Sequence, residues 1–348
     1  MKNSNNILNI KTSTWARDSH GLYDYESHST FKKQFSATKT CYIVRVGTEV
    51  QQTLNLTEAP GQEDFTPLCM VSLEKNEFSV LWLNEYLWSV VKTMRTKHGP
   101  GVALALDDVV KLGRVSFKIT ALRASPYQEL SDNTQDSEDS FLQENQEKGV
   151  CRICLSDDST AQNPLISPCK CIGSMKYIHL GCLQKWIASR MVVRNTSNCM
   201  TYSWKSMDCE ICKSSFPFKI GSNDKDLELF KIDKPTAPFI VLEAVGSDRN
   251  RNRGVHVISI SNDNSITLGR GHDADVRISD ISVSRCHANV KFKDGSFILE
   301  DNNSKFGTLI KSGSKLMVQS TGALVLQAGR TVLSMSTKNN SNDLPDLH

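Results

Sequence analysis

Four short pairs of metal-binding side chains constrain this chain more than any other feature. They are Cys151-x2-Cys154, Cys169-x-Cys171, His179-x2-Cys182 and Cys209-x2-Cys212, separated by 14, 7 and 26 residues. Each pair forms a tight knuckle that aims two donors at one ion, and eight donors complete two closed tetrahedral Zn2+ sites. A closed site holds structure and leaves no open position for metal-bound water. The segment of about sixty residues that carries the pairs has few large apolar side chains. A domain that small is marginal without a staple, and zinc supplies about 10–16 kcal/mol of apparent free energy.

The rest of the composition says why these cysteines are ligands and not disulfides. No stretch of the 348 residues reaches the roughly 18 apolar residues of a membrane span, and the first residues lack the continuous apolar segment of a secretory signal. The expectation is a soluble intracellular protein, cytoplasmic or nuclear, in which thiols stay reduced. A net charge of +3 gives no basic excess for a nucleic-acid partner. Cys41, Cys69, Cys199 and Cys286 stand outside the pairs, and Cys199 reads as a spectator thiol with no His or basic loop beside it.

The paired segment resembles the RING-CH (RINGv) fingers. The resemblance rests on CRIC at 151–154, CKC at 169–171, HLGCLQKW at 179–186 and CEICK at 209–213. The PHD finger shares the ligand order, but seven residues precede His179 here, Met207 stands two before Cys209, and Trp186 follows Cys182 by four. The resemblance implies a cross-brace, with Cys151, Cys154, His179 and Cys182 on one ion and Cys169, Cys171, Cys209 and Cys212 on the other. It also implies catalysis by positioning. Such fingers hold a ubiquitin-charged conjugating enzyme in a reactive geometry, with no covalent intermediate and no catalytic side chain of their own. Ile153 and Trp186 match its apolar contact positions, Lys213 the basic position after the last ligand, and Pro217 the edge of the groove. Leu183, Trp186, Ile187 and Met191 have the spacing of an amphipathic helix after Cys182.

Beyond Thr236 the pattern changes to short alternating segments with polar turns, an all-β sandwich signature. Ala288–Phe292 and Phe297–Leu299 flank Asp294-Gly295, a hairpin signal. Three loops fall on this frame: Gly269-Arg270, Ser284-Arg285-Cys286-His287, and Asn302 to Thr308. Their order resembles the forkhead-associated (FHA) domain, which binds phosphothreonine peptides. Arg and hydroxyl donors suit a phosphate of about −1.5 to −2 charges. By motif match, Arg270 and Ser284 contact the phosphate, Arg285 and Lys305 add charge or hold the peptide, and Gly269, His287, Gly307 and Thr308 shape the loops. Phe306 departs from the family, which commonly has Asn there to bond the peptide main chain.

The expected architecture is multidomain: a small zinc-stapled α+β RING-CH finger at 150–219, followed by an all-β FHA sandwich at 237–337. A mostly β domain at 40–124 precedes them. Its ending VVKLGRVSF at 109–117 parallels VLQAGRTVL at 325–333, which suggests a degenerate FHA-like sandwich without a phosphate site. Residues 1–39 read as a mobile start, 125–149 as an acidic linker, 220–236 as a second linker and 338–348 as a loose tail. The expected function is a RING-type ubiquitin ligase whose FHA domain recruits phosphothreonine proteins. The alternatives are a non-catalytic zinc and FHA scaffold, or a PHD-like reader.

Overall fold

The computed structural model describes residues 7–17, 20–56, 64–83, 87–91, 101–125, 149–221, 227–246, 253–260, 265–311, 315–319 and 323–337. Of the acidic linker expected at 125–149 only the two end residues are described, and the tail from 338 lies outside the described residues. The chain divides into two compact units. One comprises Met1–Ala124, Ile240–Gly246 and Ile260–His348, and the other Ser125–Phe239 with Ser247–Ser259.

In the first unit the two β regions are interleaved. One five-stranded sheet runs Glu49–Thr53, Cys41–Val46, Phe65–Glu74, Glu77–Trp82, and closes with Lys315–Met317 from the far end of the chain. A second runs Val276–Arg277, Ser265–Gly269, Ala288–Lys293, Ser296–Asp301, and closes with Val102–Ala103 from the N-terminal half. The long sheet repeats the exchange. Hairpin Leu324–Ala328/Thr331–Thr337 lies between Leu87–Val90 and Leu8–Trp15, whereas Val109–Leu112/Val115–Arg123 lies between Thr308–Lys311 and Phe239–Val245. Each half thus receives its last strands from the other. Of the 40–124 and 237–337 segments, expected as separate domains, 40–124 falls into one unit with 240–246 and 260–337, whereas 237–239 and 247–259 fall into the other.

The parallel between 109–117 and 325–333 marks these two exchanged hairpins. Each has a two-residue loop whose first residue is glycine at positive φ, Gly113 at +59° and Gly329 at +58°, as a type II′ turn requires. The core under the first five-stranded sheet mixes both ends of the chain: Leu8, Ile10, Ile43, Phe78 and Val80 surround Leu326, Leu333 and Met335.

The start of the chain is a correction. Residues 1–39, expected to be mobile, contain strands Leu8–Trp15 and Thr30–Ala37. Polar composition misleads here because the hydroxyls are partnered inside: Ser13 Oγ meets Tyr23 Oη at 2.9 Å and Thr14 Oγ1 meets Thr331 Oγ1 at 3.1 Å.

The second unit has one α-helix among its described residues, Leu180–Arg190, and a hairpin, Val192–Asn195/Cys199–Trp204, paired onward to Arg253–Ser259. The linker reading of 220–236 also needs correction. Strand Leu227–Glu228 pairs with Lys219–Ile220, and Phe230 is buried in a ring cluster with Trp204 and Phe218, its centroid 5.0 and 4.4 Å from theirs. This cluster supplies apolar burial that the ligand-bearing loops lack.

Candidate metal centre and phosphate-binding loops

The finger's donors converge into two groups. Cys151, Cys154, His179 and Cys182 form one, Cys169, Cys171, Cys209 and Cys212 the other, and the donor atoms within each lie within 4.8 Å of one another. A tetrahedron of thiolates with zinc–sulfur bonds near 2.3 Å has edges of about 3.8 Å. Cys171 Sγ stands 3.7 Å from Cys209 Sγ, and His179 Nδ1 stands 3.2 Å from Cys154 Sγ. The residues present fit two structural zinc ions.

Neighbouring groups prepare these donors. His179 Nε2 lies 2.7 Å from the Asp158 carbonyl; donating there fixes the tautomer and leaves the Nδ1 lone pair for the cluster. Burial raises the Cys151 thiol, but backbone N–H groups of Cys154, His179 and Ile153 outweigh it and bring it down to about 6. The Ser214 hydroxyl, 3.0 Å away, and the Ser214 amide lower Cys212 to about 6. Burial and nearby thiols push Cys169 up to about 12 and Cys182 up to about 11. Arg152, on the first knuckle, reaches the other cluster: its guanidinium lies 3.3 Å from Cys209 Sγ and 3.8 Å from Cys169 Sγ.

The helix Leu180–Arg190, expected after Cys182, begins two residues before it and has no side-chain cap from its N-cap residue His179. Its first amides are held from outside, Leu180 by the Pro164 carbonyl at 2.9 Å and Gly181 by Asn163 Oδ1 at 2.8 Å. That capping role of Asn163 has no signature in local spacing. Leu183 and Ile187 face inward, and Trp186 stays half-buried, edge-on to Phe216 at 5.6 Å with the Arg190 guanidinium 4.4 Å above it. Arg190 also pairs with Glu210. Ile153 is 47% exposed, and Ile211 at the matching place in the last knuckle is 55% exposed. Lys213 and Pro217 are exposed, and Lys213 Nζ donates to the Glu210 carbonyl at 2.8 Å. Cys199 is buried outside both clusters.

In the β unit the three loops are tied together by hydrogen bonds. Arg270, exposed after strand Ser265–Gly269, donates its amide to the Ser284 carbonyl at 2.9 Å and its Nε to the Val283 carbonyl at 3.3 Å. The Ser284 amide donates to His287 Nδ1 at 3.0 Å, and His287 Nε2 lies 3.1 Å from the Gly307 carbonyl. The Lys305 amide donates to Ser284 Oγ at 3.2 Å. His287 is therefore a buried strut between the second and third loops, and Arg285 is exposed beside it. Gly269 admits no side chain, since a Cβ there would stand 2.0 Å from the Arg285 carbonyl oxygen. Gly307 has φ +73°. Thr308 Oγ1 donates to Asp301 Oδ1 at 2.7 Å, and Asp301 also takes the Ser304 amide at 3.1 Å. Asp301 organises the third loop yet carried no motif signal.

Residues from the N-terminal half also hold these loops. The Tyr25 amide donates to the Lys305 carbonyl at 3.0 Å, and Asp24 Oδ2 lies 3.5 Å from Lys305 Nζ. Phe306 joins Trp15, Tyr23, Tyr25, Val325 and Val332 in an apolar cluster. The side chain that departs from the FHA pattern is thus spent on internal packing.

Comparison with known proteins agrees with this geometry. The RING-variant domain family matches residues 151–212, and the FHA domain family matches 266–332. The chain is 32% identical over 94 residues to the E3 ubiquitin-protein ligase MARCHF7 of Pongo abelii, covering 27% of this chain and 12% of that protein. It is 35% identical over 86 residues to the probable E3 ubiquitin-protein ligase MARCHF10 of Homo sapiens, 24% of this chain and 10% of that one. It is 39% identical over 70 residues to the ERAD-associated E3 ubiquitin-protein ligase DOA10 of Saccharomyces cerevisiae, 20% and 5% of the two chains. The chain thus spans about an eighth or less of the length of these relatives. No helix among the described residues is long and apolar enough to cross a membrane. The chain carries a RING-variant domain with two Cys/His clusters suited to zinc, and an FHA domain.

Proposed function

We propose that this chain is a RING-type ubiquitin ligase that docks a charged conjugating enzyme on its finger and recruits phosphothreonine proteins through its FHA loops. The observation that carries the reading is the pair of zinc-fitting clusters beside an exposed Ile153 and a half-buried Trp186, in a domain whose relatives are named E3 ligases. Zinc, when bound, cross-links the knuckles and contributes no open coordination position. Ile153 and Trp186 give the conjugating enzyme an apolar anchor, Pro217 borders it, and Lys213 offers a positive charge toward the enzyme or its ubiquitin. The thioester is then attacked directly by a substrate lysine: the thioester carbon–sulfur bond breaks, an amide bond forms, and the carrier's cysteine leaves as thiolate. This chain supplies orientation only.

Recruitment follows from the other loops. Arg270 and the Ser284 hydroxyl hold the phosphate, while Arg285 and Lys305 add charge or grip the peptide main chain. Tethering a phosphoprotein to the ligase raises the effective concentration of its lysines.

Two measurements test the two halves. In a reconstituted assay with activating enzyme and a broad panel of conjugating enzymes, the intact chain should build ubiquitin conjugates. Ile153→Ala, with zinc content unchanged, should slow this by about tenfold or more, the scale of an interface anchor. Absence of conjugates across the panel sinks the ligase reading. In calorimetry, a phosphothreonine peptide should bind and its unmodified twin should not. Arg270→Ala should cost about 1.5–3 kcal/mol, as for a charge-assisted hydrogen bond. Equal affinities for the two peptides would retire the recruitment reading.

A further inference from the structure

Beside Arg270 the β unit holds a cleft of ≈ 610 Å³ whose lining includes Arg270, Arg277 and Arg285, with His272, Asp273 and Asp280. Three guanidiniums in one concavity repel one another unless something compensates them. The local acids do so poorly. Asp280 is already partnered: Arg114 Nη2 lies 3.3 Å from its Oδ1, and the Ser282 amide and hydroxyl donate to the same oxygen at 2.9 and 2.6 Å. Those partners hold its carboxyl below its usual range, with burial working against them. The neighbouring Asp275 accepts the Thr267 amide at 2.9 Å. Neither Arg277 nor Arg285 has a carboxylate partner among the described residues, which leaves Asp273 as the one acid of the lining not tied elsewhere.

The spacing of the arginines suits one extended ligand. Gly269 and Arg277 are register partners on parallel strands, and Arg270 is the next residue along. Paired strands lie about 4.8 Å apart and an extended peptide advances about 3.3 Å per residue. A phosphate on Arg270 and Ser284 therefore leaves Arg277 within reach of a group a few residues away on the same peptide.

We infer that Arg277 forms a second anion subsite, so that this FHA domain selects phosphothreonine peptides carrying another negative group, a carboxylate or a second phosphate, within about three residues. This rests on the phosphopeptide reading above. Arg277 is the specificity-determining residue, and Arg114, by holding Asp280, keeps the subsite positive.

The test uses the full chain and fluorescence anisotropy with four peptide sets: unmodified, phosphothreonine with neutral flanks, the same with one Asp moved through three positions on either side, and the same with a second phosphothreonine in those positions. The wild type should bind at least one doubly anionic peptide about tenfold more tightly than the neutral-flanked one, the range of one charge-assisted contact. Arg277→Ala should erase that preference and keep the discrimination between phosphothreonine and threonine, while Arg277→Lys should keep part of it. A gain from Asp identifies a carboxylate, and a gain from the second phosphate alone identifies a phosphate; either supports the subsite. A wild type indifferent to the second charge, or an Arg277→Ala variant that still prefers it, overturns the inference. Loss of discrimination between phosphorylated and unmodified peptides in the wild type would instead be a failure of the phosphopeptide reading itself.

Discussion

Leu112→Ala, a change in the N-terminal half, should loosen the C-terminal half. Leu112 is fully buried and is the register partner of Thr308, the threonine whose hydroxyl bonds Asp301 in the third loop. Its hairpin also carries Gly113, where a Cβ would stand 2.5 Å from Ser282 Oγ, and Arg114, whose amide donates to that oxygen at 2.9 Å. Truncating a buried leucine costs about 2–5 kcal/mol, depending on how far the site collapses. That is a large part of a domain's net stability of about 5–15 kcal/mol. Leu326→Ala is the reciprocal change, since Leu326 lies in the core beneath the N-terminal sheet with Leu8, Ile10 and Ile43. Hydrogen exchange reads the crossing. Leu112→Ala should speed exchange in 265–311 and weaken phosphopeptide binding, and Leu326→Ala should speed exchange in 8–82. If each substitution instead perturbs its own half, the strands are not exchanged.

Local signals in the sequence report local structure well and long-range pairing poorly. Asp294-Gly295 sits in its hairpin turn with both residues at positive φ, +50° and +77°, because the twist of paired strands selects that turn. Cys and His spacing within each knuckle is set by a few backbone dihedrals, so it is legible without knowing anything else of the fold. The match of VVKLGRVSF with VLQAGRTVL is also a local signal: it identifies two equivalent hairpins. It does not say which partner strands each hairpin joins, because Leu87–Val90 and Thr308–Lys311 offer similar edges. Residues 8–15 were hard to read for the same reason: one ladder is formed with 30–37, but the other is formed with 331–337, more than three hundred residues away. Phe306 looked like a lost peptide contact, and only tertiary structure supplies its neighbours Trp15 and Tyr25. Asn163 takes the Gly181 amide, Asp301 takes the Ser304 amide within its own loop, and Arg114 gives its amide to Ser282 Oγ, roles that many polar residues fill and no spacing announces.

Removing zinc should unfold the finger and spare the β unit. The purified chain should carry two equivalents, and a strong chelator should abolish the finger's structure, since apparent binding energies of about 10–16 kcal/mol exceed what a domain of this size retains otherwise. The β unit shares no ligand with either cluster and should keep its own cooperative melt. The two ions should also leave together. Arg152 hangs from the first knuckle, between Cys151 and Ile153, yet donates to Cys209 and Cys169 of the second cluster. Losing the first ion frees that knuckle and withdraws a positive charge from the other thiolates. Cys154→Ala should therefore lower metal retention at both clusters, and Arg152→Gln should make release stepwise. Acid should act in the same direction as chelator. Loading the clusters displaces protons from Cys169 and Cys182, which hold them up to about 12 and about 11 without metal, so each fall in pH strengthens the proton against the ion. A finger that keeps its amide protection in excess chelator, or a chain that binds fewer than two equivalents, would mean that the aromatic cluster of Trp204, Phe218 and Phe230 holds the fold and the eight donors do not.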